Sequence, residues 1–112
     1  MDLAMYILVN GDIKIGKGLL ANQVGHAVGV YQYKKANKEL VDKYYQGKCK
    51  KIILKCSQET LEGLEKEGFV SIREQDSPQL EKNTLTCVNL GILDRDNNEI
   101  PEWVKDLKLY NK

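Results

Sequence analysis

Long apolar runs, histidine and paired cysteines are what this sequence has little of. No stretch approaches the length needed to cross a bilayer, so no membrane-spanning helix is expected. Cys49, Cys56 and Cys87 are odd in number and lack the close spacing of a zinc site, which argues against a disulfide framework or a structural metal. Cytosolic residence is the simplest reading, and Asp2 is out of place in a secretory leader. Cys56 and Cys87 lie in apolar runs and read as small buried hydrophobes. His26 is the single histidine, and no serine and acid are ordered around it as a triad requires. A large excess of charge is missing too: 17 basic against 16 acidic residues argues against a general polyanion coat. Repeats, low-complexity tracts and linkers are absent, so the 112 residues predict one domain over 1–112.

The charge that is present is unevenly placed. Residues 1–56 carry ten lysines against Asp2, Asp12, Glu39 and Asp42, a net of +6, and residues 57–112 carry a net of −5. A basic face from the first half suits recognition of a nucleic-acid backbone, and ordinary solvated lysine explains the count equally well.

Ala4 to Val9 is a continuous apolar run, as expected of a strand buried on both faces. From about Leu19 the residues Leu20, Val24, Ala27, Val28 and Tyr31 recur at helical steps, and Ala21, Gly25 and Gly29 form a second stripe whose expected purpose is close contact with the sheet. Leu40, Val41, Tyr44 and Tyr45 predict another helix, ended by Gly47. Lys51 to Cys56 reads as a second strand, and Ser57 caps a helix closed by Gly68. Phe69 to Ile72 and Thr84 to Leu90 read as further strands, with a polar loop from Glu74 to Asn83 between them. Pro101 is placed to open a short helix with Trp103, Val104 and Leu107, and the chain from Leu107 to Tyr110 is expected to cross back extended. The alternation predicts an α/β fold, a three-layer α/β/α sandwich with a mixed four-stranded sheet.

Lys17, between Gly16 and Gly18, stands where the first strand hands over to the long helix. Free N–H groups of a first helical turn favour an anion, and Lys17 adds a full charge there. The Gly11–Gly18 stretch resembles a nucleotide phosphate-binding loop until Gly18 replaces the hydroxyl residue that would hold magnesium, so nucleotide hydrolysis is not expected. His26 is either a general acid–base group or a packed residue. Glu74 and Asp76, after the third strand, either face the crevice at the helix mouth or belong to a solvated loop.

Over almost its whole length the sequence resembles the archaeal and eukaryotic type of peptidyl-tRNA hydrolase, the second family of these enzymes. The likeness runs through Tyr6 to Asn10, Asp12 to Gly18, Ala21, Gln23, His26 and Ala27, then Lys50 to Lys55. It continues through Ile72-Arg73, Gln79-Leu80, Asn83-Thr84, Thr86, Leu90-Gly91 and Leu107 to Tyr110. The resemblance implies a small, generally dimeric enzyme that hydrolyses the ester between peptide and tRNA without an organic cofactor. Members of the family are cytosolic or mitochondrial, and with no Arg-rich leader here a cytoplasmic place is expected. It implies active-site groups at Lys17, Glu74 and Thr86. Glu74 would then orient water, helped by His26, while Lys17 and Thr86 stabilise negative charge and Lys14, Lys34 and Lys35 steer the tRNA backbone.

The chain departs from the family in three places. Leu19 stands where a lysine is usual, Glu74 replaces aspartate, and Asp76-Ser77-Pro78 replaces glycine–arginine–threonine. Two alternatives follow from these departures: a non-catalytic relative that binds RNA or protein, or a hydrolase of a less anionic acyl or amide substrate.

Overall fold

The computed structural model describes residues 1–110; the last two positions of the expected domain, 111 and 112, lie outside the described residues. Eight elements follow one another: β1 (Leu3–Asn10), α1 (Lys17–Lys34), α2 (Lys38–Gln46), β2 (Lys50–Cys56), α3 (Gln58–Lys66), β3 (Val70–Glu74), β4 (Thr84–Asp94) and α4 (Glu102–Lys105). The sheet order is β2-β1-β4-β3, with β1 parallel to β2 and antiparallel to β4, and β3 antiparallel to β4. The sheet is therefore mixed, and β1 and β3 end at the same edge.

The apolar run of β1 is buried on both faces for the reason its sequence suggests: alternate residues enter two different cores. Ala4, Tyr6 and Leu8 join Leu61, Leu64, Ile100 and Val104 from the α3 and α4 side. Met5, Ile7 and Val9 join Ala27 and Tyr44 from the α1 and α2 side. Helices thus cover both faces, giving the three layers expected.

Local signals hold at the element ends. Asn37 and Ser57 cap α2 and α3 by accepting from the N–H groups of Leu40 and Thr60. The free edge of β2 is closed by the returning chain, where the Lys55 N–H donates to the Lys108 carbonyl at 2.8 Å and the Tyr110 N–H to the Ile53 carbonyl at 2.9 Å. Cys56 and Cys87 are 4% and 0% exposed, as their apolar settings suggest.

Three expectations are corrected. The third strand begins at Val70 and runs on to Glu74, so Glu74 is the end of a strand and not part of the loop. The fourth continues beyond Leu90 to Asp94, passing Gly91 at φ +96°. Ala21, Gly25 and Gly29 do not lie on the sheet: all three are exposed, and a Cβ built on Gly25 or Gly29 would meet nothing within 4 Å. Equal helical spacing does not say which side of a helix a stripe occupies, and the larger apolar stripe takes the buried side.

Two irregularities in β4 shape its face toward α1. Against β3 the register slips so that Ile72 pairs with Cys87 and Arg73 with Leu85, leaving Thr86 as the extra residue. Against β1 it slips so that Tyr6 pairs with Gly91 and Ile7 with Asn89, leaving Leu90 extra. Such bulges re-aim side chains, as happens twice here.

Candidate active site

The carboxyl ends of β1 and β3 and the start of β4 meet at one sheet edge, the edge where open α/β sheets place their ligands. Asn10, 0% exposed, ends β1 by donating from its amide to the Leu85 carbonyl at 2.8 Å and accepting from the Asp12 N–H at 2.8 Å. Asp12 in turn accepts from the Gln58 N–H at 2.9 Å, which fixes the loop against the start of α3. The loop then delivers Gly16 to the head of α1, where no side chain caps the helix and no acidic residue occupies the first turn. An uncapped, acid-free first turn keeps its N–H groups and positive dipole end available to an anion.

The Gly16 N–H donates to the side-chain oxygen of Gln79 at 3.0 Å, so the helix mouth is tied to the loop that follows Glu74. Lys17 is the first residue of α1 and is exposed. The structure thus brings the lysine's turn and the acidic bend together through Gly16 and Gln79.

Beneath α1 runs a buried polar chain. Glu74 is 9% exposed, Gln23 2% and Thr86 0%. The Gln23 amide donates to Glu74 Oε2 at 2.6 Å. Its oxygen faces the Thr86 hydroxyl at 2.8 Å, and that hydroxyl also lies 3.0 Å from the Ile72 carbonyl. One hydroxyl proton serves these two acceptors. The other carboxylate oxygen, Glu74 Oε1, accepts from the N–H groups of Gln75 and Asp76, each at 2.9 Å.

The Asp76 N–H holds the Glu74 carboxyl below its ordinary value, against the opposing effect of burial; the N–H groups of Gln75 and Ser77 and the charge of His26 add to the lowering. Glu74 is therefore a fixed anion at neutral pH and a weak base. Beside this chain the Cys87 thiol points at the Gln23 carbonyl at 3.4 Å, and burial pushes its pKa up to about 12, so it is not a thiolate nucleophile.

The other sequence-predicted residues fall in three places. His26 is exposed on α1, so it is not a packed core residue, and its charge acts on Glu74. Lys14 lines a groove of about 460 Å³ with Gln58, Lys82 and the same Gln79 that accepts from the Gly16 N–H. Lys34 and Lys35 sit at the far end of α1, about 25 Å from Lys17 along the helix axis, and the fold does not bring them to the site. Thr86 does not reach the surface, so it has no direct path to a bound anion.

Sequence reasoning carried Gln23 only as a matching position and missed that it joins Glu74 to Thr86. The available signal was a polar amide at a helical step from Leu20 and Ala27, on the stripe that faces the sheet. Lys82 was missed because it sits in a loop whose pattern says nothing about which groove it borders.

The chain is similar to known proteins over most of its length. Residues 3–110 match the family model described as peptidyl-tRNA hydrolase PTH2. The peptidyl-tRNA hydrolase of Nanoarchaeum equitans is 34% identical, over 93% of this chain and 96% of its own length. That of Methanopyrus kandleri is 36% identical over 76% and 80%, and that of Saccharolobus solfataricus 32% over 96% and 98%. No helix among the described residues is long and apolar enough to cross a membrane. With the match running from the first strand to the closing segment at Tyr110, the chain belongs to the peptidyl-tRNA hydrolase PTH2 family.

Proposed function

We propose that this protein hydrolyses the ester between peptide and tRNA in peptidyl-tRNA, releasing free tRNA and peptide. The observation that carries the reading is the buried Glu74–Gln23–Thr86 chain beside the uncapped head of α1. Ester hydrolysis asks for an oriented water, a group to take its proton and donors for the developing oxyanion. Glu74 is held by two N–H donors on Oε1 and keeps acceptor capacity on Oε2, where the Gln23 amide donates. It acts as a fixed anion that orients the water and stabilises the charge His26 gains on accepting the proton. Lys17 and the first-turn N–H groups of α1 stabilise the oxyanion. Gln23 and Thr86 are positioning residues: they hold the carboxylate and do not touch substrate.

Lys14 and Lys82, in their shared groove, meet the tRNA near the scissile ester, and Lys34 and Lys35 meet its backbone farther along α1. No cofactor or metal enters these steps. The family resemblance adds a cytoplasmic homodimer to the reading, and sedimentation velocity returning a monomer mass would remove the dimer.

Single-turnover cleavage of a peptidyl-tRNA tests the whole assignment. Lys17→Ala is expected to slow cleavage about 10²- to 10³-fold, the usual loss when an oxyanion donor is removed. Normal cleavage by that variant overturns the role of Lys17. Wild-type protein that retards tRNA in a salt-sensitive way without cleaving it overturns hydrolysis and leaves a binding-only relative.

A further inference from the structure

On the sheet face away from α1, the helices α3 and α4 leave a groove of about 520 Å³ over β4. Leu90 and Leu93 line it from the sheet, Gly63 and Leu64 from α3 and Trp103 from α4, with Phe69 alongside. Trp103 and Phe69 are 41% and 38% exposed, so two aromatic rings face water in one recess. Adjacent exposed aromatics over an aliphatic floor are typical of protein-binding surfaces.

Two further features say what fits. Gly63 lies in the middle of the nine-residue helix α3, where glycine weakens the helix relative to alanine, yet a Cβ there would meet nothing within 4 Å. No contact inside the described chain requires it, whereas a side chain laid against the helix backbone does.

The charge is one-sided as well. Glu67 and Glu99 line the groove and no lysine or arginine does. Glu99 is held by the Asp94 N–H at 2.8 Å and the Asn97 amide at 3.2 Å, neutral donors that leave its charge uncompensated. This charge repels a phosphate-bearing ligand. A second copy docked about a two-fold axis would bring rim carboxylates together. A cationic amphipathic segment matches both floor and rim.

We propose that the α3–α4 groove docks a basic amphipathic helical segment of a partner protein. A bulky apolar side chain sits over Leu90 and Leu93 between Trp103 and Phe69, and lysine or arginine meets Glu67 and Glu99. The groove is on the opposite sheet face from Gln23 and α1, so a docked partner leaves the α1 mouth open. The inference does not depend on the hydrolytic reading.

Trp103 is the only tryptophan, so its emission reports on this groove alone. The full chain is titrated with a synthetic Leu/Lys amphipathic peptide, with the matching Leu/Glu peptide, and with a Lys/Ser peptide of equal charge and no apolar face. The expected result is a saturable blue shift with the Leu/Lys peptide alone, weakening as salt rises. Glu67→Lys with Glu99→Lys is expected to weaken it about tenfold or more. Gly63→Gln, whose side chain enters the groove from open space, abolishes it, while the thermal unfolding midpoint does not fall but rises slightly with the better helix former, and any peptidyl-tRNA cleavage stays unchanged. No shift with any peptide, equal binding of the Leu/Glu peptide, or full affinity in folded Gly63→Gln overturns the proposal. Emission that shifts with protein concentration alone also overturns it, by showing that a second copy covers the groove.

Discussion

The two bulges of β4 solve the same problem with opposite chemistry. Each sets two successive residues toward α1: Thr86 with Cys87, and Gly91 with Ile92. At Gly91 the absence of a side chain admits the Tyr31 ring, whose atoms would lie 2.8 Å from an added Cβ, and the Tyr31 oxygen accepts from the Ile92 N–H at 3.0 Å. At Thr86 the contact is polar and leads through Gln23 to Glu74. Between them the Asn89 amide donates to the Ala27 carbonyl at 3.0 Å. One bulge anchors the helix, and the other anchors it while also setting the position of a carboxylate. A strand can thus fix a helix without cost to function at one point and carry function at the next.

The largest effect expected from breaking this pair is at the apolar member. Gly91→Ala places a Cβ at φ +96° and against the Tyr31 ring, a strain plus an overpacking cost of about 2–4 kcal/mol in all. Urea unfolding measures it, and cleavage per folded molecule should not change. A rate loss beyond the folded fraction would mean that the two bulges are not separable.

Thr86→Val tests the polar member. It removes the hydroxyl that faces the Gln23 oxygen and leaves that buried acceptor unpaired, at about 1–3 kcal/mol. Loss of carboxylate position should slow single-turnover cleavage about 10- to 100-fold, an effect that outweighs the stability loss. Thr86→Ser restores the hydroxyl and should recover most of the rate. If Thr86→Ser stays as slow as Thr86→Val, the methyl contact matters and the hydrogen-bond chain does not. Tyr31→Phe comes next, with about 1 kcal/mol for the lost bond to the Ile92 N–H and no change in rate.

This comparison also shows what the residues alone reveal. The elements were legible because each signal is local: a continuous run for β1, a capping residue at Ser57, glycines after α2 and α3. Lys17 and Glu74 were legible because they fall in recognisable surroundings. The bulge at Thr86 was not, since Leu85, Cys87 and Val88 surround it with apolar residues and offer no alternation for an extra residue to break. Gln23 was missed for a related reason: helical periodicity treats an amide among leucines and valines as noise until its partner across the sheet is known. The glycines of α1 were legible as a stripe but not as a direction, because spacing carries no sign.

The smallest expected effect separates the two ends of β4 by their acids. Glu74 lies beside the first bulge and Asp94 beyond the second, and backbone N–H groups, led by those of Asp76 and Asp2 respectively, hold both carboxyls below their ordinary values. A carboxyl whose folded-state value is depressed stabilises the fold above its unfolded value, and that contribution is lost as pH falls through the folded one. Both ends therefore weaken together in acid, and a single melting curve cannot tell them apart. His26 adds its charge to the Glu74 environment only. In His26→Gln the NMR titration midpoint of the Glu74 carboxyl carbon should rise slightly while that of Asp94 stays in place. Equal movement of both would show that the histidine acts on the whole fold, and no movement of either would remove the electrostatic link on which its partnership with Glu74 depends.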